Sequence, residues 1–238
     1  MPAYQAEQTL ERAVRSVRAQ DFDDWELLIV DDGSRDGTAA IAEKLAAEDP
    51  RIRVFRLPSN SGAARARNHA IGQAKGRYLA FLDADDEWSP QKLSRQIAFM
   101  QQTGTPLCYS GFWRDTGTTR HEVKIPASVT YSELLRGNVI GCLTAVVDRT
   151  AFPPGIAMPD IRRRQDYAFW LRLLRDGATA RGIAEPLATH HRTPQSLSSA
   201  LGKSLRATWQ VYRQQEGLGR LQSCVYLWSH LFRRLRRG

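Results

Sequence analysis

Two acidic clusters dominate the chemistry available to this 238-residue chain: Asp31-Asp32, and Asp83-Ala84-Asp85-Asp86. Carboxylates two apart in a loop can turn oxygens toward one hard cation, and Mg²⁺ or Mn²⁺ prefers such ligands. A site with few carboxylates leaves coordination positions open for a diphosphate. A third acidic position is Asp166, which follows Gln165 at the head of an amphipathic run. Between the two clusters lies Asn60-Ser61-Gly62-Ala63-Ala64-Arg65-Ala66-Arg67-Asn68, a small-residue loop entering a helical pattern. Such a helix start offers free N–H groups and a positive dipole end to an anion. Asp32, Ser34, Asp36 and Glu43 come close to the spacing of an EF-hand calcium loop. That loop requires a preceding helix, and Trp25 to Val30 reads as a strand, so the match is accidental.

The elements that must position these residues follow from hydrophobic periodicity. Helices are expected over Ala6 to Gln20, Thr38 to Ala47, Gly62 to Lys75 and from Ser89-Pro90 to Gln101. Strands are expected over Trp25 to Val30, Ile52 to Leu57 and Arg77 to Leu82. Both acidic clusters then sit at strand ends, where ligands of open α/β sheets bind. The second half is less regular. Strands are expected at Leu107 to Trp113 and Leu143 to Val147, another before His190-His191-Arg192, and helices over Thr130 to Arg136 and Arg164 to Asp176. Beyond Pro194 the pattern is helical, over roughly 202–216 and 219–236. No strand precedes the first helix, so the usual opening strand is absent or a stub, and Met1 is expected to be an internal residue of a longer natural chain.

Composition narrows the class. With 42% hydrophobic residues and ordinary Gly and Pro content, the chain is no low-complexity polymer. No uncharged apolar run approaches the ~20 residues that span a bilayer, and Met1 to Gln5 do not open a signal peptide. Cys108, Cys142 and Cys224 are too far apart for a metal or disulfide frame, and buried thiols in a reducing compartment are expected. The net charge of +9 is uneven: from residue 201 onward eight Lys and Arg face Glu216 alone, leaving +2 for the rest. The tail sequence places Leu221, Val225, Trp228 and Phe232 on helix faces before Arg233, Arg234, Arg236 and Arg237. Such a helix suits an anionic membrane surface. Aromatic residues are not interleaved for base stacking, so no nucleic-acid partner is expected.

Four segments in order carry a family resemblance: Pro2-Ala3-Tyr4; Glu26 to Thr38 with Asp31-Asp32-Gly33-Ser34; Asn60-x-Gly62 with Ala66-Arg67-Asn68; and Tyr78 to Trp88 with Asp83-Ala84-Asp85-Asp86. Over about residues 1–200 the chain resembles the inverting family 2 glycosyltransferases of the GT-A fold. Gly137-Asn138-x-Ile140-Gly141-Cys142 and Arg192-x-x-x-Ser196-Leu197-Ser198 make it most similar to bacterial enzymes of capsule, O-antigen or teichuronic-type polysaccharides. The resemblance implies an α/β, Rossmann-like, mainly parallel sheet with helices on both faces, followed by C-terminal helices. It divides the chain into a nucleotide-binding half (about 1–103), an acceptor half (about 104–200) and a basic helical tail (201–238).

It also implies roles. Pro2, Ala3 and Tyr4 line the nucleotide base with Glu7 nearby, Asp32 accepts from the base N–H, and Arg67 helps hold the nucleotide. Asp83 touches the ribose beside Ala84, and Asp85 binds a divalent Mn²⁺ or Mg²⁺ that bridges the diphosphate. Asp166 is the general base, with Gln165 standing where the family usually has Glu. His191 is a candidate third metal ligand or a structural histidine, Arg192 could meet the diphosphate, and Arg162-Arg163-Arg164 could draw in an anionic acceptor. The implied reaction moves sugar from a nucleoside-diphosphate donor, UDP foremost, to a growing lipid-linked glycan at the cytoplasmic membrane face. The rival is a catalytically weak nucleotide-sugar-binding scaffold subunit, favoured by the missing strand and Gln165.

Overall fold

A computed structural model describes residues 1–191 and 201–237. The chain starts with β1 (Pro2–Ala3), α1 (Leu10–Arg18), β2 (Leu27–Asp31), α2 (Thr38–Glu48), β3 (Ile52–Arg56) and α3 (Ala63–Gln73). These strands form a three-stranded parallel sheet in the order β1-β2-β3. Every residue of β2 is buried, as a strand covered on both faces must be. The helix expected from Ala6 begins four residues late, because Ala6 to Thr9 form a turn whose carbonyl at Ala6 accepts from Thr9 and Leu10.

There follow β4 (Tyr78–Ala80), β5 (Glu87–Trp88), α4 (Lys92–Thr103), β6 (Leu107–Asp115), β7 (Arg120–Val123), β8 (Ser128–Val129), α5 (Tyr131–Leu135) and β9 (Val146–Asp148). α6 (Gln165–Leu174) and β10 (Ala180–His191) complete the described body, and α7 (Leu201–Gln210) and α8 (Arg220–Arg237) form the tail. The second sheet runs β4-β9-β6-β10-β5, with β7 on β6 and β8 on β10. Within it β6 and β10 are parallel, whereas the other pairings are antiparallel. A short return, the 116–119 turn, joins β6 to β7, whereas the other antiparallel partners come from distant parts of the chain.

Tyr167, Phe169, Trp170 and Leu171 of α6 are fully or almost fully buried and share one core with Leu107, Leu134 and Val147. Val211 and Tyr212, in the π-turn after α7, belong to that same core. The tail therefore begins by packing on the helix that carries Asp166.

β1 is the expected stub. Its two residues pair with Val30 and Asp31, and the Met1 ammonium donates to the Leu28 carbonyl at 2.7 Å. Below it a cavity of about 860 Å³ separates the two sheets, lined by Leu27, Leu28, Ile71, Tyr78, Phe81 and Met1 among others. Burial there, reinforced by the Arg67 charge, brings the pKa of the ammonium down to about 5. Of the cysteines, Cys108 is buried and Cys142 half-buried, but Cys224 is exposed on α8, against the expectation of buried thiols. It stands next to the exposed Val225 on the outward side of that helix.

Candidate active site

The loop after β2 is built from its own carboxylates. Asp31 accepts from the Ser34 N–H at 3.0 Å and pairs with Arg56 Nε at 3.3 Å, so it closes the turn. Asp32 faces the other way. Its Oδ1 accepts from the Ser61 N–H and hydroxyl and its Oδ2 from the Gly62 N–H, each at 2.8 Å. Asp32 thus holds the entry to α3, and an ionised carboxylate with about four lone-pair sites keeps one more for a ligand N–H. Gly33, at φ +73°, approaches the Ser59 backbone so closely that a Cβ would lie 2.8 Å from it.

The segment after β1 is stitched onto this loop. Ala3 O accepts from the Asp32 N–H at 2.8 Å, Gln5 N donates to Ser34 Oγ, and Ala6 N donates to Thr38 Oγ1. Pro2 and Ala3 therefore flank the loop while Tyr4 stays exposed beside it. Glu7 accepts from the Gly37 N–H at 2.8 Å, which makes it a clasp between the two loops. Asp36 accepts from both the N–H and the hydroxyl of Thr38, so the EF-hand-like spacing serves a helix start.

Arg67 projects from the first turns of α3 and is nearly buried. Its Nη2 donates to Asp83 Oδ1, but Nε and Nη1 are buried without a hydrogen-bond partner. Buried guanidinium nitrogens left unpaired carry an energetic penalty that an incoming anion relieves. The Arg67 charge also feels Asp166, and the half-buried Cys142 thiol senses Arg67, Asp83 and Asp166 together. Burial pushes that thiol far above its usual pKa, so Cys142 stays protonated between the acidic groups. Asp83 and Asp166, far apart in sequence, thus both act electrostatically on one arginine and one cysteine.

The second acidic cluster divides its labour. Asp83 takes Arg67; Asp86 is buried and accepts from the His191 N–H at 2.9 Å; Asp85 is exposed at the rim beside the buried Ala84. Surrounding protein and the Asp83 charge raise the pKa of Asp85, and burial followed by the charges of Asp83 and Asp85 raises that of Asp86 well beyond the carboxylate range. Negative charge is therefore crowded here, which suits a cation. Among the described residues no three His, Cys, Asp or Glu side chains converge in ligand geometry. One or two carboxylates is what a Mg²⁺- or Mn²⁺-type ion needs when a diphosphate supplies the remaining oxygens. The donor set fits such an ion through Asp85.

His191 Nε2 lies 2.6 Å from Glu87 Oε1, and Glu87 also pairs with Arg12 at 3.2 Å. Its other ring nitrogen is 4.0 Å from Asp115, so the histidine is braced between carboxylates beside the cluster. Arg192 lies outside the described residues, as does the Ser196-Leu197-Ser198 pattern.

Asp166 sits in the first turn of α6. It is not the cap: Arg164 precedes the helix at φ +64° and reaches Ser204 Oγ of α7 at 2.5 Å. Gln165 leaves its Oε1 buried and unpartnered next to Asp166. Sequence reading missed the contacts that hold the 152–164 loop over α3. Asn68 and Met158 exchange two hydrogen bonds of 2.8 Å, and Arg65 pairs with Asp160 at 2.9 Å. These partners are 90 and 95 residues apart, and no local pattern announces them.

Comparison with known proteins places this arrangement. Residues 1–151 match the family model described as Glycosyl transferase family 2. The chain is 43% identical over 220 residues, 91% of its length and 87% of the relative's, to the teichuronic acid biosynthesis glycosyltransferase TuaG of Bacillus subtilis. It is 36% identical over 213 residues, covering 89% of this chain and 83% of the other, to WfgD of Escherichia coli. That protein is named a UDP-Glc:alpha-D-GlcNAc-diphosphoundecaprenol beta-1,3-glucosyltransferase. Among solved structures, TarS of S. aureus with UDP-GlcNAc superposes with a TM-score of 0.74 at 20% identity, over 97% of this chain and 70% of that one. A mannosyltransferase of Pyrobaculum calidifontis with GDP-Man and Mn²⁺ gives 0.70 at 17% identity, over 96% and 66%.

Proposed function

The chain belongs to glycosyltransferase family 2 and is a glycosyltransferase of GT-A fold; from that premise we propose that it transfers a sugar from a UDP-sugar, with inversion, to a lipid-linked glycan. The observation that carries the reading is the nearly buried Arg67, which is hydrogen-bonded to Asp83 and feels the charge of Asp166, with two buried guanidinium nitrogens unpartnered. The acceptor class is that of WfgD, whose name specifies a diphosphoundecaprenol-linked sugar. In this reading the reaction runs at the inner face of the cell membrane.

In this reading Pro2, Ala3 and Tyr4 line the base, and the free lone pair of Asp32 accepts its N–H. Arg67 offers Nε and Nη1 to the diphosphate while its Nη2 holds Asp83 toward the ribose. Asp85 would hold a divalent cation, which when bound would supply positive charge to offset that of the departing nucleotide. Asp166 accepts the proton of the acceptor hydroxyl as that oxygen bonds to the anomeric carbon. The bond to the diphosphate breaks on the opposite face, which inverts the anomeric centre. Gln165, whose Oε1 is buried and unpartnered, stands beside Asp166 where the family usually has Glu.

The test is turnover of UDP-sugars with diphosphoundecaprenol-linked acceptors and Mn²⁺. Asp85→Ala and Asp166→Asn are each expected to lower it by roughly 10²-fold or more, and NMR of the product should show inverted configuration. Unchanged turnover in both variants refutes the assignment. UDP binding by the wild type without transfer to any acceptor leaves only the scaffold reading.

A further inference from the structure

Four of the five large apolar side chains exposed among the described residues lie on one helix: Leu221 at 80%, Val225 at 61%, Trp228 at 73% and Phe232 at 51%. Their spacing of four, three and four residues keeps them on one stripe of α8, about 16 Å long at 1.5 Å per residue. The opposite side of α8 is committed. Ser223 and His230 are buried, Tyr226 and Leu227 pack against the α6 core, and the His230 ring meets Tyr167 at a centroid distance of 5.8 Å. The helix is thus bound to the protein along one side and apolar along the other.

Charge indicates what covers the open side. From Arg220 to Arg237 the helix has five arginines and no acidic residue. The nearest carboxylate before it, Glu216, turns inward, paired with Arg175 at 3.0 Å and accepting from Tyr131 at 2.7 Å. Lys203 and Arg206 of α7 carry further positive charge. No helix of the described residues is long and apolar enough to cross a membrane. Cationic and apolar at once, yet too short to span, such a face lies in the headgroup region of an anionic bilayer.

We propose that the Leu221–Val225–Trp228–Phe232 stripe of α8 docks the protein on anionic lipid. Because Tyr167 directly follows Asp166, and its hydroxyl lies 3.1 Å from that of Tyr212, docking fixes the helix of the proposed base relative to the bilayer. The domain is held rigidly at the surface where a lipid-linked acceptor would be presented.

Flotation of the full chain with vesicles tests the docking without reference to the reaction. On vesicles of 30% phosphatidylglycerol in phosphatidylcholine most of the protein should float, with at least tenfold less on pure phosphatidylcholine or in 0.5 M NaCl. Leu221→Ser with Trp228→Ser should reduce flotation at least tenfold with an unchanged melting temperature, since these are the two most exposed side chains of the stripe. Equal flotation of the double variant refutes the stripe; so does a wild-type dimer in ultracentrifugation that the variant abolishes, or salt-sensitive RNA binding in place of vesicle binding. A second arm rests on the proposed transfer. The variant should lose at least tenfold in turnover of a vesicle-borne acceptor and keep turnover of a short water-soluble one. Loss of both activities with flotation intact overturns the coupling alone, and absence of any transfer in the wild type with flotation intact overturns the proposed reaction.

Discussion

Replacing Asp32 by Asn isolates what its carboxylate does before any nucleotide arrives. The change is isosteric, yet the native group accepts three hydrogen bonds of 2.8 Å, two on Oδ1 and one on Oδ2. An amide has one oxygen. If it faces Ser61, its NH₂ meets the Gly62 N–H; if it faces Gly62, the NH₂ meets the Ser61 N–H. Either way one donor is opposed by a donor in a site where Asp32 is only 3% exposed. A hydrogen bond to a charged acceptor is worth about 1.5–3 kcal/mol, and a buried orphan donor costs about 1–3 kcal/mol. The expected loss is about 3 kcal/mol, which for a chain of this size lowers the melting temperature by roughly 6–12 °C. Ser61→Ala removes one donor and leaves the carboxylate satisfied, so about 1 kcal/mol is expected. Calorimetry of the two single variants and the double variant supplies the cycle. The coupling should be about 1 kcal/mol, because Asn at 32 can no longer serve Ser61 fully. A shift under about 1 °C for Asp32→Asn, or strictly additive effects, would refute the account of this loop.

Gly33→Ala should be as damaging, because positive φ strain of about 1–3 kcal/mol adds to a Cβ 2.8 Å from the Ser59 backbone; urea unfolding should report at least about 2 kcal/mol, together with weakened UDP binding. Mn²⁺ affinity should rise as pH increases from 5 to 7.5, because Asp85 and Asp86 hold their protons above the usual carboxylate range and a cation must displace them. Titration calorimetry in two buffers of different ionisation heat should show proton release at the lower pH, and a pH-independent affinity would contradict it. The Met1 amine has a folded pKa of about 5 against 8.0 when free, so the folded state binds fewer protons in that window. Its stability contribution is fully present above pH 8 and is lost as pH falls toward 5; N-acetylation, which retains an N–H for Leu28, should flatten that slope. A chain carrying five β-prone residues ahead of Met1 should melt higher if the 860 Å³ slot between the sheets receives a strand, and an unchanged melting temperature would show that it does not.

The local structure around the proposed site was legible where chemistry and local pattern coincide. Asp31-Asp32 ends an apolar run, so a turn of carboxylates after a buried strand was legible. That Asp31 would be consumed by the turn was not, because that depends on register: Asp31 closes the β2–β3 ladder opposite Arg56 and is absorbed by it. Asp166 was legible as the polar residue opening an apolar helix, whereas its cap was not, since Arg164 adopts a left-handed conformation that nothing in its side chain favours. β5 has two residues, too few for any period, yet it places Glu87 against His191 across 104 positions. That contact braces the histidine ring, and it exists only because β10 returns antiparallel to β5.

These differences share one physical origin. A carboxylate at a strand end can close a turn, brace a neighbouring loop, pair with an arginine or stay available to a cation, and the sequence presents all four as the same letter. Packing separates them by supply of donors. Asp31 is given Ser34 and Arg56, Asp32 is given Ser61 and Gly62, Asp83 is given Arg67, and Asp86 is given the His191 N–H. Among the described residues Asp85 receives none of these arginines or distant loop donors, although Arg12 lies close enough to donate to its backbone carbonyl at 2.9 Å. The carboxylate proposed to hold the metal is therefore the one whose side chain the fold leaves for a ligand. Arg12 is the neighbour to alter in testing this: Arg12→Gln keeps the side-chain length close to native but removes a positive charge beside Asp85 and Glu87. Mn²⁺ should then bind more tightly by roughly threefold to tenfold, as expected for about 1 kcal/mol between partly exposed charges. Weaker Mn²⁺ binding in this variant would mean that the Arg12 contact orders the Asp85 loop, and that Asp85 is not simply left over but is placed.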